Sequence, residues 1–155
     1  MQTVQIMDNF YGYRDHSMLR LASTSGKFRR LCPPADPRRL GSFTSFINKF
    51  IFLIGGIYLD ESWGNQCNSA EVYDIHRNIW MDAPPLKWYR VGHSTCSFNN
   101  EKLFTFGGKS YDNKGTDEIE VLNAKRFLDG HQDCCWESIY VKSEFGYQRF
   151  YAIMT

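Results

Sequence analysis

A run of β-forming residues that ends in two glycines occurs twice in this chain, and this repeat constrains the fold more than any other feature. The first copy is residues 50–54 followed by Gly55-Gly56, and the second is residues 103–106 followed by Gly107-Gly108. The two glycine pairs lie 52 positions apart. A repeat of roughly this period indicates a fold built from stacked or radially arranged units, because one such unit cannot bury both of its faces alone.

Other features return at nearly the same spacing. Pro33-Pro34 returns as Pro84-Pro85, and Arg39-Leu40-Gly41 returns as Arg90-Val91-Gly92, in both cases 51 positions later. Between the first glycine pair and the second proline pair, two further β-forming stretches are separated by polar turn residues. The pattern predicts four short strands in each unit, joined by turns.

The residues of the middle copy resemble the Kelch repeat family, whose pattern is an apolar strand ending in Gly-Gly, then a Tyr, then a Trp six or seven residues later. The third copy has Leu122 in place of the Tyr, and the first copy has Phe28 in place of the Trp. Large aromatic side chains suit the wedge between neighbouring sheets. The residues that match the motif are Gly55, Gly56, Tyr73, Trp80, Gly107, Gly108 and Trp136.

The resemblance implies an all-β, Kelch-type β-propeller with about three four-stranded blades. We expect residues 1–13 to be a lead-in, either disordered or the remains of a strand, and residues 14–155 to hold the Kelch repeats. These divide into a partial blade (14–39), two blades (40–89 and 90–147) and the start of a further strand (148–155). Propellers close with about four to eight blades. The chain is therefore interpreted as a portion of a longer protein, as half of a ring closed between chains, or as an open arc, in that order of preference.

The resemblance also suggests a binding site. In Kelch propellers that bind peptides, an Arg followed by an aliphatic residue and Gly lines the mouth of the central channel, which places Arg39, Arg90 and, less well matched, Arg149 there. Guanidinium groups suit carboxylates, so an acidic peptide segment is the expected ligand. The alternative is that each Arg bonds loop carbonyls within its own blade. Three aromatic residues in the loops after the glycine pairs complete the predicted partner-binding set: Tyr58, Trp63 and Tyr111.

Composition and charge restrict the function classes. The net charge of +1 over 155 residues provides no basic bias for nucleic acid. The longest purely apolar run has five residues, far from the about 20 that cross a bilayer. Five cysteines at irregular spacing favour free thiols in a reducing compartment, and the chain start lacks a secretory signal, so we expect a cytoplasmic protein.

Neither a metal site nor an active site is predicted. His131, Cys134 and Cys135 lie close in the sequence, but nothing completes a set of four zinc ligands. The copper-radical galactose oxidase class is an enzymatic Kelch relative, and it needs a Cys cross-linked to a Tyr, a second Tyr and two His. No such His pair is evident, and no cofactor is expected.

The favoured hypothesis is a non-catalytic protein-interaction module or scaffold whose propeller loops bind another protein. The first alternative is the substrate-recognition part of a cullin-type ubiquitin ligase adaptor, which would require a helical adaptor-binding domain. The alternative from another class is a galactose-oxidase-like copper enzyme. Self-association through open blade edges is a further expectation.

Overall fold

The computed structural model describes residues 2–14, 17–59, 65–110 and 118–140, which hold thirteen strands and one short helix. The first blade contains β1 (Gln2–Ile6), β2 (Asn9–Arg14), β3 (Ser17–Ala22) and β4 (Lys27–Leu31). The second contains β5 (Arg38–Arg39), β6 (Ser42–Phe46), β7 (Phe50–Tyr58), β8 (Gln66–Asp74) and β9 (Ile79–Ala83). The third contains β10 (Ser94–Phe98), β11 (Lys102–Phe106), β12 (Glu118–Leu122), α1 (Ala124–Leu128) and β13 (Glu137–Tyr140).

The strands form three antiparallel sheets. Blade 1 has the order β1-β2-β3-β4 and blade 3 the order β10-β11-β12-β13. Blade 2 has the order β6-β7-β8-β9, and the two-residue β5 pairs with the far end of β7. The prediction of an all-β Kelch-type fold with about three four-stranded blades is confirmed.

Strands β1, β6 and β10 are the inner strands of the three blades, and blade 2 lies between the other two. Strand β6 contacts both β1 and β10. The side chain of Gln2 donates a hydrogen bond to the carbonyl of Gly41, and the amide of Gly92 donates to the carbonyl of Leu40 at 2.9 Å. The first bond joins the inner strand β1 to the segment that enters blade 2, and the second joins the segments that enter blades 2 and 3.

The N-terminal residues differ from the prediction of a disordered lead-in or remnant strand. Residues 2–14 form β1 and β2, which complete a four-stranded first blade. Ile6, Tyr11 and Tyr13 are buried, and the Tyr13 ring stacks on Phe43 of blade 2 at 6.0 Å. The strands were hard to recognise because aromatic residues occupy both faces of β2, which hides the alternation on which strand prediction depends.

Two apolar layers hold the blades together. The layer between blades 1 and 2 includes Met18, Ile51, Leu53 and Tyr73. The layer between blades 2 and 3 is formed by Phe46, Phe52, Ile54, Ala70, Val72, Ala83, Leu86, Leu103, Leu122, Ala124 and Trp136. Each blade therefore needs a neighbour to bury its second face, as repeat proteins do.

The chain crosses from one blade to the next in two crossing segments, residues 32–41 and 84–93. Each tryptophan of the motif bonds the crossing segment that enters its own blade. Trp80 Nε1 donates to the carbonyl of Cys32 at 2.8 Å, and Trp136 Nε1 donates to that of Pro84 at 2.7 Å. The two acceptors lie 52 residues apart. Equivalent positions of the two crossing segments therefore lie 52 residues apart, one more than the 51 that separate the proline pairs.

The glycine pair does not end its strand in blade 2, because β7 continues through it to Tyr58 with a bulge at Gly55. Gly55 and Gly56 have φ values of +58° and +108°. A Cβ at Gly56 would lie 2.5 Å from the carbonyl oxygen of Arg39 and 2.7 Å from the amide of Gly41. Positive φ and backbone crowding therefore both favour glycine at position 56.

Gly56→Ala is expected to destabilise the protein by about 3 kcal/mol or more, because a left-handed φ costs roughly 1–2 kcal/mol and a clash with fixed backbone adds to it. Gly130→Ala is a matched control: its φ is +96°, and a Cβ there meets nothing within 4 Å. Urea unfolding measures both variants. Equal losses at the two positions would contradict the role of crowding at Gly56.

Helix α1 lies in the connection between β12 and β13. Asn123 caps it, since its Oδ1 accepts from the amide of Arg126 at 2.9 Å. The amide of Lys125 donates to the carbonyl of Glu101 at 3.0 Å, which ties the helix to the β10–β11 turn. Five residues are too few to show a helical period in the sequence.

Candidate functional site

The arginine that corresponds to Arg90 is Arg38, not the predicted Arg39. Arg38 and Arg90 lie 52 positions apart, are both fully buried, and each pairs with a buried glutamate of the third strand of its blade. The partners are Glu71 for Arg38 and Glu120 for Arg90. The same element recurs in the two blades in the corrected register.

Each pair also fixes the crossing segment that enters its blade. Glu71 Oε1 accepts from the amide of Ala35 at 2.8 Å, and Glu120 Oε2 accepts from the amide of Lys87 at 2.6 Å. Ala35 and Lys87 are again 52 residues apart. Each glutamate therefore links a guanidinium group to the backbone of the crossing segment.

The guanidinium group of Arg90 is satisfied inside blade 3. Its Nε donates to Glu120 at 2.9 Å, its Nη1 to the carbonyl of Gly107 at 3.0 Å, and its Nη2 to the carbonyl of Glu118 at 2.7 Å. This agrees with the alternative in which the arginine bonds groups of its own blade. Because Arg90 has no exposed surface, its side chain is not available to contact a partner.

The remaining predicted residues fall in different places. Arg39 is exposed at the start of blade 2. Tyr58 is half-buried, and its hydroxyl lies 3.2 Å from the Oγ of Ser69, which also accepts from Arg38 Nη1 at 2.6 Å. Arg149, Trp63 and Tyr111 lie outside the described residues. Of the three predicted residues that the structure describes, Arg90 is fully buried whereas Arg39 is exposed and Tyr58 is half-buried.

A different group of side chains is exposed where the chain crosses between blades. We call it the crossing face and define it by Arg39, Leu40, Trp88, Tyr89 and Lys109. The Gly92–Leu40 backbone bond joins the two crossings, and Val91 pairs with Lys109 through backbone bonds of 3.0 and 3.1 Å. The backbones that carry these side chains therefore meet at one end of the blades.

The crossing face carries large apolar groups in open positions. Trp88 is 50% exposed, Tyr89 47% and Leu40 53%. Leu40 has φ +57°, and its counterpart 52 residues later is Gly92, with φ +66°. A left-handed conformation is strained for leucine, and such strain is concentrated at functional sites.

Trp88, Tyr89 and Leu40 were missed from the sequence, although a signal existed. Trp88-Tyr89 are adjacent aromatic residues in a segment that begins with a proline pair, and such a segment cannot bury both rings in a strand. For Leu40, the signal is the departure from Gly92 once the repeat is aligned at 52 residues.

His93 lies behind the crossing face, at the junction of blades 2 and 3. It is 2% exposed, and a Cβ at Gly55 would lie 2.7 Å from its Cε1. Burial, with a smaller contribution from the Arg90 guanidinium, lowers the pKa of His93 to about 3, although the carbonyls of Ile54 and Arg90 act in the opposite direction. The ring is therefore neutral at physiological pH.

A cavity of about 350 Å³ opens at the opposite end of the same junction. Ile47 and Phe50 of blade 2 and Leu128 of α1 form its apolar walls, and Lys49 and Lys125 stand beside them. Lys125 is engaged in an exposed ion pair with Asp129 at 2.8 Å. The residues that line this cavity are separate from those of the crossing face.

Neither a cluster of metal ligands nor a membrane-spanning helix is found among the described residues. In residues 2–14, 17–59, 65–110 and 118–140, no three His, Cys, Asp or Glu side chains are placed so as to hold a metal ion together. Within the same part of the chain, no helix has the length and apolar character needed to span a membrane.

Comparisons with known proteins agree with the architecture. No protein-family model matches the chain. Kelch-like protein 41b from Danio rerio is 32% identical over 107 residues, which are 69% of this chain and 17% of that protein. The solved structure of YjhT, a Kelch-type propeller, superposes with a TM-score of 0.73 at 16% identity, over 92% of this chain and 50% of that one. The chain thus spans about a sixth of the length of the first protein and half of the second.

Proposed function

The chain belongs to the Kelch repeat family, and from this premise we propose that it is a non-catalytic protein-interaction module that binds a partner protein on its crossing face. The observation that carries the proposal is the exposure of Leu40, Trp88 and Tyr89 at one end of the blades. Tryptophan and tyrosine are enriched among residues that dominate protein–protein binding energies.

The backbone beneath Trp88 and Tyr89 is held firmly in place. Lys87, which precedes them, donates its amide to buried Glu120, and Arg90, which follows them, is fixed by three side-chain hydrogen bonds. A rigid support lowers the entropy lost when a partner binds. The buried ion pair therefore serves recognition indirectly, by holding the crossing segment.

The charge of the face favours an acidic partner. Among the described residues of the two crossings and their surroundings, Arg39, Lys87 and Lys109 are exposed cations, and Asp36 is an exposed anion. An extended peptide segment with apolar and acidic side chains would match the rings and the cations together. This keeps the acidic peptide that was predicted from the sequence, with different residues in contact with it.

A non-catalytic role is supported by the state of the buried polar groups near the face. The guanidinium groups of Arg38 and Arg90 are satisfied by glutamates and carbonyls of their own blades. His93 is enclosed and neutral. The two arginines act in positioning the backbone, which leaves binding as the function of the exposed residues.

Two finer predictions stay proposals. A substrate-receptor role in a cullin-type ubiquitin ligase would depend on a helical adaptor-binding domain, and the described residues form β-blades with one five-residue helix. A cytoplasmic location is supported by the cysteines, since all five are free thiols, as expected in a reducing compartment.

We expect Trp88→Ala to weaken peptide binding at least tenfold, because truncation of a central aromatic contact commonly costs more than about 1.4 kcal/mol. A random peptide library displayed on phage supplies the ligand, and fluorescence anisotropy of one selected peptide measures its Kd. Met7→Ala is the matched control, since Met7 is 72% exposed but lies in the β1–β2 turn.

The outcome against the proposal is equally clear. A selected peptide that binds wild type and the Trp88→Ala and Tyr89→Ala variants with one affinity would place the binding site elsewhere. Enrichment of basic rather than acidic peptides would contradict the charge argument while leaving the aromatic contact open to the same affinity test.

A further inference from the structure

Blade 3 exposes an apolar face that blade 2 buries at the equivalent positions. Strand register places Phe98 at the position of Phe46, and Phe104 at that of Phe52. Both pairs form the same edge-to-face contact, at 6.0 Å and 6.1 Å between ring centroids. Phe46 has no exposed surface, whereas Phe98 is 56% exposed. We call this the trailing face and define it by residues Phe98, Phe104, Phe106, Ile119 and Ile139.

Blade 1 exposes the complementary kind of face. Register places Phe10 at the position of Ile51, Leu21 at that of Tyr73, and Phe28 at that of Trp80. Phe28 is 71% exposed and Phe10 is 41% exposed. We call this the leading face and define it by residues Phe10, Leu19, Leu21 and Phe28.

The leading face lacks two polar groups that, at the equivalent positions of blade 2, bond the crossing segment. Leu19 occupies the position at which blade 2 has the buried Glu71, so no carboxylate there requires an arginine. Phe28 has no indole N–H, so it requires no backbone carbonyl of the kind that Trp80 uses. An apolar face can therefore cover the leading face without a covalently linked crossing segment.

We propose that the trailing face of one copy of this chain binds the leading face of a second copy, head to tail. The contact continues the junctions already formed between blades 1 and 2 and between blades 2 and 3, with rings from one sheet against aliphatic groups of the next. Arg30 on the outer strand of the leading face and Glu137 on that of the trailing face carry opposite charges. Two copies supply six blades, within the four to eight with which propellers close.

Light scattering after size-exclusion chromatography of this 155-residue chain tests the proposal. The expected result is one species with the mass of a dimer. Phe98→Asp and Phe28→Asp should each shift the monomer–dimer midpoint to at least tenfold higher concentration. Met7→Asp, an equally exposed apolar position in a turn, should leave the midpoint unchanged. Urea unfolding checks that each variant monomer keeps its fold, since both side chains are exposed.

A mixture of the two variants tests the direction of the contact. Phe98→Asp retains its leading face and Phe28→Asp retains its trailing face, so the mixture has one intact junction and should dimerise where neither variant does alone. Loss of dimer with Phe98→Asp but not with Phe28→Asp would indicate two trailing faces in contact, and overturns the proposal. A monomeric wild type, or an open series of larger species, overturns it too.

Discussion

Arg90→Ala is expected to lower the free energy of unfolding by about 3–5 kcal/mol, which is the cost of leaving a buried charge without its partner. Both side chains of the Arg90–Glu120 pair are fully buried, and their atoms lie 2.9 Å apart. The substitution also leaves the carbonyls of Gly107 and Glu118 without their donors. Because folded domains are stable by only about 5–15 kcal/mol, this is a large share of the total.

Urea unfolding of Arg90→Ala beside Arg126→Ala measures the effect against a matched control. Arg126 forms an ion pair with Asp133 at 2.8 Å, but both side chains are at least half exposed, so we expect that loss to stay below about 1 kcal/mol. The double variant Arg90→Met with Glu120→Gln should recover part of the stability, since it removes both charges. If Arg90→Ala kept wild-type stability but lost peptide binding, Arg90 would be a peptide contact. That result would contradict its assignment to a buried ion pair.

His93 is expected to make the protein less stable in acid. Its folded pKa of about 3 lies below the ordinary value of 6.5, so between these values the unfolded chain binds a proton that the folded chain excludes. The contribution of the neutral ring is therefore fully present above pH 6.5 and is lost as the pH falls toward 3. At one unit per about 1.4 kcal/mol, His93 should cost roughly 2–3 kcal/mol on going from neutral pH to pH 4.5.

Comparison with His93→Gln separates the contribution of His93 to the pH dependence of stability from that of the carboxylates. We expect the difference in unfolding free energy between neutral pH and pH 4.5 to be smaller in His93→Gln than in wild type by that amount. His76→Gln, at an exposed turn position, should keep the wild-type pH dependence. Identical pH dependence in wild type and His93→Gln would show that the ring is not enclosed as described.

The repeat made the blades predictable from sequence. The glycine pairs, Trp80 and Trp136 occupy equivalent places because each meets a structural requirement that blades 2 and 3 share. A Cβ at Gly56 or Gly108 would lie only 2.5 or 2.9 Å from a carbonyl oxygen of the crossing segment, and the tryptophans bond the carbonyls of Cys32 and Pro84. Such a requirement places the same residue type at equivalent positions of the repeats. Comparison of the repeats within one chain therefore finds these residues.

The candidate site was less predictable, for two physical reasons. Arg38 and Arg39 are adjacent, and only the structure shows which of them reaches a buried glutamate; the presence of Leu40 where the other blade has Gly92 moved the apparent register by one. Which residues adjoin Trp88 and Tyr89 on the surface depends on how two crossing segments meet, and no single segment encodes that. Blade 1 was underestimated because its second strand, β2, carries aromatic groups on both faces.

Photo-crosslinking tests whether a bound peptide lies on the crossing face. p-Benzoylphenylalanine placed at Tyr89 reports on the crossing face, and the same residue placed at Asn48, in the exposed β6–β7 turn, reports on the opposite end of the blades. With a peptide selected on the wild-type chain, mass spectrometry should find crosslinks from position 89 and none from position 48. Crosslinks from position 48 with none from position 89 would contradict the account.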